Sequence, residues 1–576
     1  MGFTGSASAA DLDAASRWWL DGVVYHVYPR SFADANGDGV GDLPGLIDHL
    51  DHLAGEADSL GIDAIWLSPI YPSPMLDGGY DVMDHTAVDP VFGTLADLDR
   101  LIEECHRRHI RVILDLVMNH TSNLHPWFVQ SRQSRTGPFA DFYLWRDPSG
   151  WDRDGRPELP NNWLSWFGGS AWEWEPRRRQ FYLHTFMPEQ PDVNWRCSGL
   201  REEMWSMVRG WLDRGVDGFR LDVFNAFLKA AEMPSNPEVV SDGSIPWDGQ
   251  EHRHDKDQPE LRDLLAELRR IVDARPGTAT VGELFTSGIE AAVASWAPRH
   301  LVFDWVLLEA AWTAASFRAA IAAREVAWCG RWPTIVLSNH DHSRHVTRYM
   351  RTLGRRDRAT ADAVAKAAAT IELTLRGTPF LYYGEEIGAG DITVPRARAR
   401  DRAAAKTAGW WNRDGCRAPM AWSGDRTAGF TSGRPWLPVP PDAASRNVGQ
   451  QRGSESSVLA HYRRLLALRR GSAALRTGEL ALVDVGDPDV LAYLRQAGDE
   501  IALVVVRFGL RGGEVELPPS AGPWKVVLSS HDRVTPTVGW RVAVRPIEAL
   551  VLQPDPNPPQ ASPRRRAGGS SLSLMP

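Results

Sequence analysis

A (β/α)₈ barrel, of α/β class, with a loop-rich insertion after its third strand and a C-terminal antiparallel β domain, is the fold this sequence predicts. Three observations predict it. Eight short apolar runs alternate with amphipathic helical stretches between residues 23 and 382. Acids and histidines gather just past the C-terminal ends of those runs, where a parallel barrel assembles its functional groups. Beyond residue 475 the helical period gives way to short alternating strands.

The expected barrel strands are 23–28, 64–67, 112–117, 218–223, 280–284, 301–305, 334–338 and 380–382, with helical periodicity over 95–108, 201–214, 260–273 and 359–375. Between the third and fourth strands, residues 119–195 carry many Trp, Gly, Pro and Asn and little helical period. That reads as an inserted domain beside the active site. The barrel thus divides into 1–118 and 196–475, closing with a helix over 458–470. Strands over 491–496, 500–508, 513–517, 524–529 and 540–553 make up a domain at 476–553, and the Pro-, Arg- and Ser-rich 554–576 read as a disordered tail.

Composition bounds the function. A formal net charge of −9 argues against nucleic acid or an anionic membrane as partner. No apolar run approaches the roughly 20 residues that span a bilayer, and the N-terminus lacks a signal-peptide pattern, so a cytoplasmic location is expected. The four cysteines are far apart and suggest neither a disulfide framework nor a thiolate metal site. The 25 tryptophans suit sugar stacking but equally a core.

Arg220 and Asp222 lie two residues apart at a strand end and share a face. An arginine so placed should favour the ionised carboxylate. Glu283 follows the fifth strand and Asp341 the seventh, so a barrel would converge three acids on one pocket. Two carboxyls across a scissile bond, with a third near the developing positive charge, are the equipment of glycoside hydrolysis. His120 and His340, also at strand ends, could donate to sugar hydroxyls. In the loop after the first strand, Asp34, Asn36 and Asp38 alternate and Gly39 is sixth, as in a calcium loop, but Gly45 stands where the bidentate Glu belongs. An Asx-rich turn is the simpler reading of that loop.

Residues 115–120 (DLVMNH), 190–194 (QPDVN), 218–225 (GFRLDVFN), 281–285 (VGELF), 337–341 (LSNHD) and 377–388 (GTPFLYYGEEIG) resemble, in order and spacing, the motifs of glycoside hydrolase family 13, the α-amylase superfamily. NGDGVGD, DGGYDVMD and GGSAWEW point to its α-glucosidase and oligo-1,6-glucosidase branch. The resemblance implies Asp222 as nucleophile, Glu283 as acid/base and Asp341 as transition-state stabiliser. It implies that Arg220, His120 and His340 hold the glucose, that Asp77 grips its O4 and Tyr80 stacks beneath it, and that Arg417 pairs with Asp77. It also implies a structural Ca²⁺ or Mg²⁺ on Asp34, Asn36, Asp38, the Val40 carbonyl and Asp42, with no organic cofactor. Val223 is the residue type that goes with α-1,6 preference in this branch. Two departures, His85 and Val193, remove no catalytic group.

The expected function is therefore retaining, exo-acting hydrolysis of terminal α-linked glucose from short oligosaccharides by a monomer or small homo-oligomer. The rivals are a glucosyl transferase or isomerase of the same family, trehalose-forming or sucrose-using, and a non-catalytic sugar-binding relative.

Overall fold

The computed structural model describes residues 18–555 except 242–244, 286–288, 296–299, 408–410, 520–522 and 533–537. The expected tail lies almost wholly outside the described residues. Eight parallel strands follow one another around the barrel: β1 (Val24–Val27), β2 (Ala64–Leu67), β3 (Arg111–Leu116), β4 (Gly218–Leu221), β5 (Ala279–Gly282), β6 (Leu301–Val302), β7 (Thr334–Val336) and β8 (Thr378–Tyr382). Each falls on an expected run, and β8 pairs with β1, Val24 opposite Phe380. The backbone ladder runs from β7 through β8 and β1 to β6. Between β6 and β7 the Thr334 hydroxyl takes over, donating to the Val302 carbonyl and accepting from the Asp304 amide, both at 3.1 Å.

Strand alternation fills the barrel in two zones. At the N-terminal end Val24, Ile113, Val281, Val336 and Phe380 form an apolar plug. One step up, His26 stacks on Trp66 across the β1–β2 register at 3.6 Å. Above them the inward positions are charged, Asp115 lying opposite Arg220 in the β3–β4 register. Gly218 faces inward below Arg220, and a Cβ there would sit 2.3 Å from the Ala279 carbonyl oxygen, so the close approach of β4 to β5 requires glycine.

The helices pack outside. The one over Leu95–Arg107 starts in a capping box, Thr94 accepting from the Asp97 amide while Asp97 accepts from the Thr94 amide, and it buries Leu98, Leu101, Ile102 and Cys105. Helices Ser198–Asp213, Leu261–Asp273 and Arg358–Thr374 match the expected periodic segments. Between β3 and β4 the chain forms a three-stranded antiparallel sheet, with Gln180–Leu183 between Trp145–Arg146 and Trp172–Glu175.

The C-terminal part is a five-stranded antiparallel sheet, Glu479–Val483, Val490–Ala497, Glu500–Arg507, Ala549–Pro554 and Trp524–Ser529 in spatial order, beside a pair formed by Gly513–Glu516 and Arg541–Val544. The single strand expected over 540–553 is two strands. Pro546 cannot donate to a ladder, and Ile547 turns the chain with a left-handed φ of 49°. The first strand of this sheet was not expected, because its residues are mostly half-buried or exposed and alternate weakly. Among the described residues no helix is long and apolar enough to cross a membrane.

Candidate active site

Arg220 is the hub of the upper barrel. Its Nη1 donates to Asp115 Oδ1 at 2.8 Å and to Asp222 Oδ1 at 2.6 Å, and its Nη2 pairs with Glu283. The guanidinium lies over the rings of Trp66 (5.2 Å) and Tyr80 (5.5 Å). Tyr80 in turn donates its hydroxyl to Asp115 Oδ2 at 2.9 Å. One buried guanidinium thus meets three carboxyl groups, so its charge is compensated while theirs are only partly so.

The acids are tuned apart. Burial pushes the Asp222 carboxyl up to about 6, against the pull of Arg220, and Asp115 adds to the rise. Arg220 does favour the ionised carboxylate, as expected, but desolvation at full burial is the larger effect, so the net shift is upward. Burial also opposes ionisation of Asp341, but neighbouring His340 and the guanidiniums of Arg413 and Arg417 outweigh it and hold that carboxyl well below the usual range. Directly after Asp222, Val223 has φ 34° and ψ 41°, a left-handed conformation that a β-branched residue strongly disfavours. Such strain costs on the order of 1–3 kcal/mol and is found at functional sites.

Asp77, Tyr80, His120, Asp222, Glu283 and Asp341 line one cavity of about 450 Å³. Arg220, His340 and Arg417 lie behind that lining. The His340 ring is buried against Tyr80, 5.3 Å between parallel rings, with its Nε2 3.3 Å from Asp341 Oδ2. His120 Nε2 is 3.1 Å from both the Tyr80 carbonyl and the Gln190 amide nitrogen. The partner of Asp77 is Arg413, at 2.7 Å, and not Arg417. Arg417 donates instead to the His340 carbonyl (2.7 Å) and to Asp341 Oδ1 (2.9 Å). The reason is reach: Arg413 lies between Asp77 and Asp401, bonding both, whereas Arg417 runs past Gly78 toward Asp341.

Sequence reasoning missed Asp115, Gln190 and Arg413. Asp115 was recoverable, since it is inward by alternation and beside Arg220 by register. Gln190 donates to Asp77 Oδ2 at 3.0 Å and is the first residue of the QPDVN motif at 190–194. Trp166, Phe167, Phe186, Phe285 and Trp411 give the cavity an aromatic outer wall.

The loop after β1 holds its acids in Asx turns. Asp34 accepts from the Gly37 and Gly39 amides (2.7 Å each), Asn36 from Asp38, and Asp38 from Val40. Asp42 caps the helix Leu43–Asp48 through the Gly45 amide. The oxygen-only donor set suits a hard cation. Yet among the described residues no three His, Cys, Asp or Glu side chains are gathered as a metal centre.

The family model for the α-amylase catalytic domain matches residues 26–478. The chain belongs to the α-amylase family. It is accordingly a glycoside hydrolase. It is 41% identical to a probable alpha-glucosidase of Rhizobium meliloti (strain 1021), over 87% of this chain and 91% of that one. It is 36% identical to an oligo-1,6-glucosidase of Heyndrickxia coagulans, over 93% and 99%. Among solved structures, an alpha-glucosyl transfer enzyme, XgtA, superposes with a TM-score of 0.84 at 38% identity, over 93% of this chain and 99% of that one.

Proposed function

We propose that this member of the family is an exo-acting α-glucosidase that removes terminal α-linked glucose from short oligosaccharides with retention of configuration. The observation that carries this reading is one guanidinium holding Asp222 and Glu283 on its two terminal nitrogens. Carboxyls so bridged stay near the roughly 5 Å spacing of retaining enzymes, closer than the ~6.5–9.5 Å that lets a water between them.

In this reading Asp222, ionised above about pH 6, attacks the anomeric carbon. Glu283 gives its proton to the leaving oxygen and then takes one from the water that frees the sugar. Asp341, kept ionised by two arginines, faces the positive charge that develops on the ring. Asp77 and Arg413 close the inner end of the cavity, which favours a chain end over an internal unit. The aromatic outer wall receives the leaving sugar. Val223 supports an α-1,6 preference through resemblance alone. A structural Ca²⁺ or Mg²⁺ on Asp34, Asn36, Asp38, Val40 and Asp42 is part of the same proposal and takes no part in these steps.

The likeness to an alpha-glucosyl transfer enzyme supports a second reading, in which a sugar acceptor replaces water at the same covalent intermediate. Incubation with isomaltose, maltose, sucrose and trehalose separately, quantifying free glucose and new glucosides, separates the two. Glucose released fastest from isomaltose supports the α-1,6 hydrolase. A dominant rearranged disaccharide with little free glucose moves the function to the transferase, and no turnover of any of them overturns both.

A further inference from the structure

Beside the catalytic cavity, across the Gly78 wall, lies a second groove of about 550 Å³. Six guanidiniums line it, those of Arg30, Arg398, Arg400, Arg402, Arg417 and Arg434, against three carboxylates, Asp38, Asp401 and Asp414. This reverses the balance of a chain with 73 acids and 64 Lys and Arg. The three carboxylates are already engaged. Asp401 holds Arg413 at 2.7 Å, Asp414 accepts from the Arg400 amide at 2.7 Å, and Asp38 accepts from the Val40 amide at 2.8 Å.

Of the arginines, Arg398 donates to the Pro435 carbonyl at 3.3 Å. Arg417 pairs with Asp341, but among the described residues none of the other five has a carboxylate partner. Arg30 is the most telling. It is half-buried, with its guanidinium 4.6 Å over the Trp436 ring. Burial pulls it below its ordinary pKa, Tyr28 and Asp89 attract it without an ion pair, and Arg417 and Arg400 repel it. Uncompensated like charges in a concave site raise the local potential and concentrate anions. Planar guanidinium forks match phosphate oxygens two at a time.

We propose that this groove is a binding site for a small phosphate-bearing anion, held by Arg30, Arg398, Arg400 and Arg434 and separate from the glucoside pocket. The test is isothermal titration of the whole protein with pyrophosphate, and then with inorganic phosphate, in about 0.15 M NaCl, where screening acts over ~8 Å. EDTA is present throughout, so that no cation near Asp38 can mediate binding. The expected result is saturable one-site binding of pyrophosphate that weakens at least ~10-fold in Arg400→Ala/Arg434→Ala. Both residues are exposed, so melting temperature and glucosidase turnover stay at wild-type values. Arg30→Gln, in the half-buried wall, is expected to lose binding as well. No saturable binding by the wild type overturns the proposal, as does equal affinity in the double variant. Because binding is read directly, this result is independent of which glucoside the enzyme cleaves.

Discussion

The two ends of the barrel interior are made by the same eight strands and differ in almost everything else. At the bottom, Val24, Ile113, Val336 and Phe380 pack without a charge among them. At the top, Asp115, Arg220 and Asp222 are all but inaccessible to water, and Asp341 pairs with two arginines. The bottom is stabilised by burial, about 25 cal/mol for each Å² of apolar surface removed from water. The top works against folding, since ionised groups are desolvated there and Val223 is strained. Stability and chemistry are thus separated along the barrel axis, and substitutions at the two ends should fail differently.

The largest effect belongs at the top. Asp222→Asn is expected to lower kcat by about 10⁴-fold or more while the melting temperature holds or rises, because a buried carboxylate pushed up to about 6 destabilises the fold at neutral pH. Retained turnover would remove Asp222 from the mechanism, and a collapse of the fold would break the division of labour. At the bottom, Phe380→Ala should cost roughly 3–5 kcal/mol of stability, read by denaturant unfolding, with kcat/KM of the folded fraction unchanged.

Arg413→Ala should come next. It leaves Asp77 with Gln190 alone and removes one of the two arginines on Asp341, so kcat/KM for disaccharides is expected to fall by roughly 10²-fold through lost positioning. Wild-type kinetics in that variant would place the glucose grip elsewhere. A smaller effect is the acid limb of the pH profile. Below about pH 6 Asp222 takes up a proton and kcat/KM should drop about tenfold per unit; a flat profile from pH 7 to 5 would contradict that assignment. Smallest is the cation. Added Ca²⁺ is expected to raise the melting temperature by a few degrees, on the order of 1 kcal/mol, with kcat unchanged. No shift would leave Asx turns alone to hold the loop after β1.

What could be read from the sequence follows from period. Alternation and short apolar runs located all eight barrel strands and placed Arg220, Asp222, Glu283 and Asp341 at their ends, since both signals are local. Arg413 escaped because choosing between it and Arg417, four residues apart around a 3₁₀ turn at Asp414–Arg417, needs side-chain direction that no period encodes. The depth of burial that raises Asp222 escaped for a related reason. Desolvation depends on everything packed around a group, and the sequence shows only its neighbours along the chain.

The contact between Asp77 and Arg413 joins residues 336 positions apart. A ribosome that has released the β2 loop must add more than half the chain before the partner of Asp77 exists. The loop-closure entropy of so distant a tie is met only when most of the barrel is in place. The Asp77–Arg413 pair is therefore among the last features of the molecule to form, and a nascent chain ending before residue 413 would carry Asp222, Glu283 and Asp341 without it. On the proposed reading of the site, activity is a late event in the synthesis of this enzyme.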